Sequence, residues 1–240
     1  MKLKLNKLLK LDVNDANRFA WLADTIRQLP DGLRILDAGA GELHNKSLCS
    51  HLNYISQDFC QYEGRGDGHG LQTGIWDTSQ IDLVCDITAI PEPSSSFDAI
   101  LCSEVFEHLP DPLKALDEFS RLLKPGGTLI LTAPFSSLVH FAPYHFASGF
   151  SRYWYEHHLP LRNMEIKELT PNGDWFSHLR QEVLRLPRVA RQRGDWCWPL
   201  AYVVGGLGAI YFALRGKGGL KATDLACFGW HCVAIKKLET

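Results

Sequence analysis

The sequence predicts an α/β fold built on an open, doubly wound, mostly parallel sheet. Three observations carry that prediction. Short apolar runs alternate with amphipathic stretches over about a hundred residues, glycine or proline punctuates the breaks, and an acidic or hydroxyl residue follows directly after several runs. In such sheets ligands bind beyond the carboxyl ends of the strands.

The elements follow in order. Ala16 to Gln28 carries Phe19, Leu22, Ala23 and Ile26 at the spacing of an amphipathic helix, which Pro30-Asp31-Gly32 stops. Leu33 to Leu36 and Tyr54 to Gln57 read as strands, and Ile81 to Cys85 and Ala99 to Cys102 as two more. Near-continuous apolar runs of this kind suit a parallel sheet covered on both faces. Between the last two lies ITAIPEPSSSFDAI, a proline- and serine-rich connection. A helix over Pro112 to Leu123 places Leu113, Leu116, Phe119, Leu122 and Leu123 on one face and ends at Lys124-Pro125-Gly126-Gly127. Thr128 to Thr132 is the next strand, Glu165 to Leu169 a weaker one, and Phe228 to Lys236 the last. The glycine-rich Gly64 to Gly74, GRGDGHGLQTG, reads as a mobile solvated loop, because ordering glycine costs entropy without adding packing.

At 240 residues the chain is long enough for one decorated domain with its own core. Lys and Arg total 25 against 27 Asp and Glu, so no global field favours nucleic acid as a partner. The seven cysteines form no C-x-x-C pair, which argues against a zinc ribbon or a disulfide framework. The opening MKLKLNKLLKLDVND alternates lysine with leucine and lacks the apolar core of a signal peptide, so a cytoplasmic protein is expected.

Asp37, Asp58, Asp86 and the pair Ser103-Glu104 stand immediately after successive strands and would line one crevice. Any one of these could be a cap or loop residue; their repetition at strand ends points to a site. In RILDAGAGELHN, Gly39 and Gly41 permit close backbone approach, and a following helix could direct N–H groups at a ligand. His44 stands where a G-x-G-x-x-G dinucleotide fingerprint requires glycine.

The ordered motifs ILDAGAG, YISQD, VCDITAIP, FDAILCSEVFEHLPDP and LLKPGGTLILTAPF resemble the class I S-adenosylmethionine-dependent methyltransferases, specifically the type 11 group, over Leu33 to His145. The resemblance implies a Rossmann-like seven-stranded sheet and S-adenosyl-L-methionine as cofactor. It implies that Asp37, Gly39, Ala40 and Gly41 surround the amino-acid part of the donor and that Asp58 accepts from the ribose hydroxyls. Asp86 would take the adenine amine while Ile87 packs on the ring, and Ser103 would lie near the sulfonium. Many relatives continue the first motif with a third glycine; this chain has Glu42 and Leu43 after Gly41.

Methyl transfer from a sulfonium is an in-line displacement in which positioning supplies much of the acceleration, and a base helps a hydroxyl acceptor. His140, soon after the fifth strand, is the candidate base. The expected function is O-methylation of a small or lipid-linked metabolite of glycan or quinone-precursor type, the alternative being a non-catalytic S-adenosylmethionine-binding scaffold or sensor. The stretch Glu104-Val105-Phe106-Glu107-His108 is similar to a divalent-metal site of some quinone-pathway O-methyltransferases and small-RNA 2'-O-methyltransferases. Most type 11 relatives carry an E-H here without a known metal, so no metal ligand is assigned.

The organisation expected is a single domain over 1–240, with a cofactor-binding core at 16–135, an acceptor-site segment at 136–165 and a helical apolar insertion at 174–224 before the last strand. Within it, Trp196 to Leu214 runs without a charge, close to the length of a membrane span, but a span would cut the last strand from its sheet. Packing over the sheet edge or acceptor pocket is preferred, since so large an exposed patch is unusual on a soluble monomer. Peripheral contact with the inner face of an anionic membrane is the other reading, favoured by the flanking Arg185, Arg188, Arg191, Arg193, Arg215 and Lys217.

Overall fold

A computed structural model describes residues 13–217 and 222–238; the lysine- and leucine-rich start lies outside the described residues. Contacts divide the chain into two units, residues 21–170 with 229–240 and residues 1–20 with 171–228.

The larger unit is organised by a seven-stranded sheet. Helix α1 (Val13–Arg27) leads into β1 (Arg34–Ala38), followed by β2 (Asn53–Asp58), β3 (Leu83–Val84) and β4 (Phe97–Ser103). Then come α2 (Pro112–Leu122), β5 (Leu123–Pro134), α3 (Arg152–His158), β6 (Met164–Asn172) and, after the second unit, β7 (Gly229–Lys236). The spatial order is β3-β2-β1-β4-β5-β7-β6. β1 pairs in parallel with both β2 and β4, so the order reverses there and opens a crevice at the carboxyl ends. β7 runs antiparallel to β5, from Thr128↔Ile235 to Pro134↔Gly229.

Ile35, Leu101 and Ile130 from the sheet bury with Leu22 and Ile26 of α1, the side chains whose spacing forecast that helix. α2 starts as its sequence requires: Pro112 occupies the first turn and the Asp111 carboxylate accepts from Lys114 N at 3.3 Å. Its end differs from expectation. Lys124-Pro125-Gly126-Gly127 does not separate helix from strand but lies within β5, where pairing shifts from Phe97↔Leu123 to Ala99↔Thr128. Extra residues on one strand are accommodated as an irregularity in the ladder.

The smaller unit is dominated by two helices, α4 (Trp175–Gln192) and α5 (Trp198–Lys217), which pack on each other. Asp174 caps α4 by accepting from Ser177 N at 2.7 Å. Ala201, Gly205 and Ala209 are buried on α5, and a side chain at Gly205 would meet Val183 O of α4 at 2.5 Å, so the two backbones approach closely. The large residues of α5 behave otherwise. Leu200, Val203, Leu207, Ile210 and Leu214 are exposed, which corrects the preferred expectation that this stretch packs inside the protein. Burying small residues against α4 necessarily turns the bulky ones outward.

Candidate active site

The loops after β1, β2, β4 and β5 converge at one end of the sheet. Asp37, on β1, is buried and its carboxylate accepts from Tyr54 OH at 2.7 Å; burial raises its pKa to about 6. Gly39 N and Ala40 N both donate to Gln57 O at 2.9 Å, and Gly41 N donates to Asp58 Oδ2 at 3.0 Å. These amides are therefore engaged by the protein itself. A short 3-10 turn at Lys46–Cys49, and no α-helix, follows the motif, which corrects the expectation of helical N–H groups aimed at a ligand.

Asp58, at the end of β2, also accepts from Cys60 N at 2.8 Å through Oδ1. Each carboxylate oxygen has a second acceptor site, so hydroxyl donors can still be received there. Asp86 is exposed and accepts from Thr88 N and Thr88 Oγ1, both at 2.8 Å, through Oδ1; Ile87 beside it is buried. Ser103 Oγ lies 2.9 Å from Thr132 Oγ1, which donates to Glu104 Oε1 at 3.0 Å.

The glycine-rich stretch, exposed over much of its length, pairs with the segment after β5. Leu71 bridges His140 in parallel fashion, with Leu71 N donating to Val139 O at 2.9 Å and Phe141 N to Leu71 O at 3.1 Å. Gly66 lies so close to Ala142 O that no side chain fits, and its positive φ suits glycine. Tyr62 stacks on Phe141 at 4.6 Å, and Trp76 meets both rings edge-on. Trp76 also covers Gly41: a Cβ there would lie 2.7 Å from Cζ2 of the indole. Glu42 Oε1 accepts from Asp77 N at 3.3 Å and ties the first motif to this segment.

On the β4–β5 side, His108, His140 and His145 come together with candidate ligand atoms all within 4.8 Å of one another. The fully buried Glu107 joins them, its Oε1 3.7 Å from His108 Nε2 and 3.8 Å from His140 Nε2. His108 Nδ1 lies 2.6 Å from Tyr144 O and His140 Nδ1 2.9 Å from Leu138 O, which orients both rings. The buried His108 Nε2 and both buried ring nitrogens of His145 make no hydrogen bond. Burial, and then the neighbouring imidazoles, lower the pKa of His108 to about 3; burial and His140 lower that of His145. Neutral imidazoles with a buried carboxylate are a donor set that fits a divalent cation. For such a site the sequence offers Glu104, Glu107 and His108; His108 joins the histidine group with Glu107 beside it, Glu104 accepts from Thr132 Oγ1, and His145 was missed. The signal for His145 was the local density of histidines after the fifth strand.

Known proteins similar in sequence to this chain are methyltransferases. Residues 36–131 match the family model described as a methyltransferase domain. A ubiquinone biosynthesis O-methyltransferase of Xylella fastidiosa (strain M23) is 44% identical over 64 residues, 27% of this chain and 25% of that protein. The protein of the same description from Leptothrix cholodnii is 28% identical over 118 residues, 48% of this chain and 49% of the relative. The chain thus matches only a quarter to a half of the length of these curated relatives. Phosphoethanolamine N-methyltransferase 2 of Haemonchus contortus, solved in complex with S-adenosyl-L-methionine, superposes with a TM-score of 0.51 at 15% identity, covering 93% of this chain and 53% of that one. At that identity the likeness shows the shared fold.

Proposed function

We propose that this chain, which carries a class I methyltransferase domain over residues 36–131, transfers the methyl group of S-adenosylmethionine to a hydroxyl oxygen of a small or lipid-linked acceptor of quinone-precursor type. The reading is supported above all by the Glu107, His108, His140 and His145 cluster after β4 and β5. Asp58 and Asp86 offer carboxylates to the ribose hydroxyls and the adenine amine, with Ile87 as an apolar wall for the base. Asp37 and the bend from Gly39 to Gly41 would lie beside the amino-acid part of the donor.

The hydroxyl of an acceptor must lose its proton as the new C–O bond forms. His140, whose Nε2 faces the Glu107 carboxylate, is placed to take it. A divalent cation held by Glu107, His108 and His145, with His140 left as the base, would when bound acidify a hydroxyl acceptor. Relatives named as ubiquinone biosynthesis O-methyltransferases support a hydroxyl on a ring carrying a lipid tail.

The test is transfer of labelled methyl from S-adenosylmethionine to catechol-bearing quinone precursors, with and without added divalent metal, followed by mass identification of the product. An O-methylated product, lost on chelation and restored by metal, is the expected result. Tight donor binding with no methylated product from any precursor or cell-extract fraction would instead make the chain a donor-binding scaffold.

A further inference from the structure

We propose that the α4–α5 unit is a membrane-surface anchor: α5 lies in the plane of an anionic bilayer with its bulky apolar stripe in the acyl boundary and arginines at the headgroups. The proposal concerns a different part of the chain from the methyl-transfer reading and stands or falls separately from it.

Helix α5 has an inside-out distribution of side chains. Small residues, Ala201, Gly205 and Ala209, face α4 at four-residue spacing. Leu200, Val203, Leu207, Ile210 and Leu214 lie on one stripe with exposures from 40% to 66%. For a helix whose environment is water on one side, large apolar groups belong on the packed face. Here only 11% of the apolar window is buried. So extensive an apolar surface needs a cover.

Charge selects that cover. Residues 175–216 hold six arginines against two acids, Glu182 and Asp195, in a chain whose net charge is −2. Arg191 sits over the Trp198 ring at 5.4 Å and Arg215 over Tyr211 at 6.0 Å, near opposite ends of α5. Trp196, at 86% exposure, adds a further aromatic beside the helix start. Arginine with tryptophan and tyrosine at the borders of an apolar stripe matches the headgroup layer, where cations meet lipid phosphates and amphipathic rings settle.

Topology excludes a span. β7, after α5, pairs with β5, which precedes it, so the chain on both sides of α5 belongs to one sheet. A return crossing through α4 would place Arg180, Arg185, Arg188 and Arg191 in hydrocarbon. An in-plane helix satisfies both constraints.

The test is co-sedimentation of the full chain with vesicles of phosphatidylcholine alone or of phosphatidylcholine with a third phosphatidylglycerol. Binding is expected to the anionic vesicles at low salt, with at least about a tenfold loss for the neutral vesicles or in high salt. The exposed pair Val203→Asp with Leu207→Asp should abolish sedimentation while leaving S-adenosylmethionine affinity unchanged, which reports on the fold of the other unit. Replacing Arg191, Arg193 and Arg215 with glutamine should erase the preference for anionic lipid. Failure of the parent chain to bind vesicles, sedimentation indifferent to the aspartates, or a stable dimer that the aspartates dissociate in the absence of lipid binding would each overturn the proposal.

Discussion

The Glu107 carboxylate stands 3.8 Å from His140 Nε2, linking the segment after β4 to the segment after β5 through a glutamate with no exposed surface. Its Oε1 also lies 3.7 Å from His108 Nε2, so the carboxylate and the imidazoles gather donor atoms of a kind that fits a divalent cation. Glu107→Gln and His145→Ala are therefore expected to lower metal retained after loading with manganese or zinc and gel filtration by at least about tenfold. Elemental analysis reads the outcome; full occupancy in both variants would remove the metal from the site.

His140→Ala tests the base separately from the donor site. The side chain is removed, while the backbone pairing of this segment with Leu71 can persist. Turnover should fall by about 10²–10⁴, the usual contribution of a positioned acid–base group. S-adenosylmethionine affinity, measured by calorimetry, should change little. Undiminished turnover on the true acceptor would mean that another group takes the proton.

Gly41 and Trp76 form a coupled pair. Gly41→Ala places a methyl 2.7 Å from the indole at a residue with φ of +52°, and should cost about 1–3 kcal/mol. Adding Trp76→Leu removes the collision but not the left-handed backbone strain, so the double variant should be more stable than the sum of the singles predicts by at least ~0.5 kcal/mol. Urea midpoints of the four proteins complete the cycle. Strict additivity would show that the indole yields without resistance.

Much of this arrangement was legible in the sequence because its causes are local. The spacing of Leu22 and Ile26, the proline after Asp111 and the apolar runs ending at Asp58 and Ser103 each act within a few residues. The pairing of the glycine-rich loop is not legible locally, because Leu71 meets Val139 and Phe141, some seventy residues away, and no local pattern announces such a contact. Glu42 likewise acts through a distant partner, accepting from Asp77 N. For α5, apolar composition indicated a need for burial, but only the three-dimensional placement of Ala201, Gly205 and Ala209 showed which face points outward.

Asp37 gives the fold a pH dependence of defined sign. Its carboxyl, buried beneath the first motif, has its pKa raised to about 6 from 3.8, with Tyr54 OH opposing the effect of burial by donating to it. Between these two values the folded protein holds a proton that the unfolded chain has lost, so stability falls as pH rises through this window and the full penalty applies above about 6. The shift corresponds to roughly 2–3 kcal/mol. Asp37→Asn retains an oxygen to accept from Tyr54 but cannot ionise. The variant should therefore match the parent near pH 4 and exceed it in urea midpoint at pH 7.5. At the same time it should bind S-adenosylmethionine more weakly, because the negative charge proposed beside the amino-acid end of the donor is gone. A stability difference that is the same at both pH values would show that Asp37 is not the titrating group.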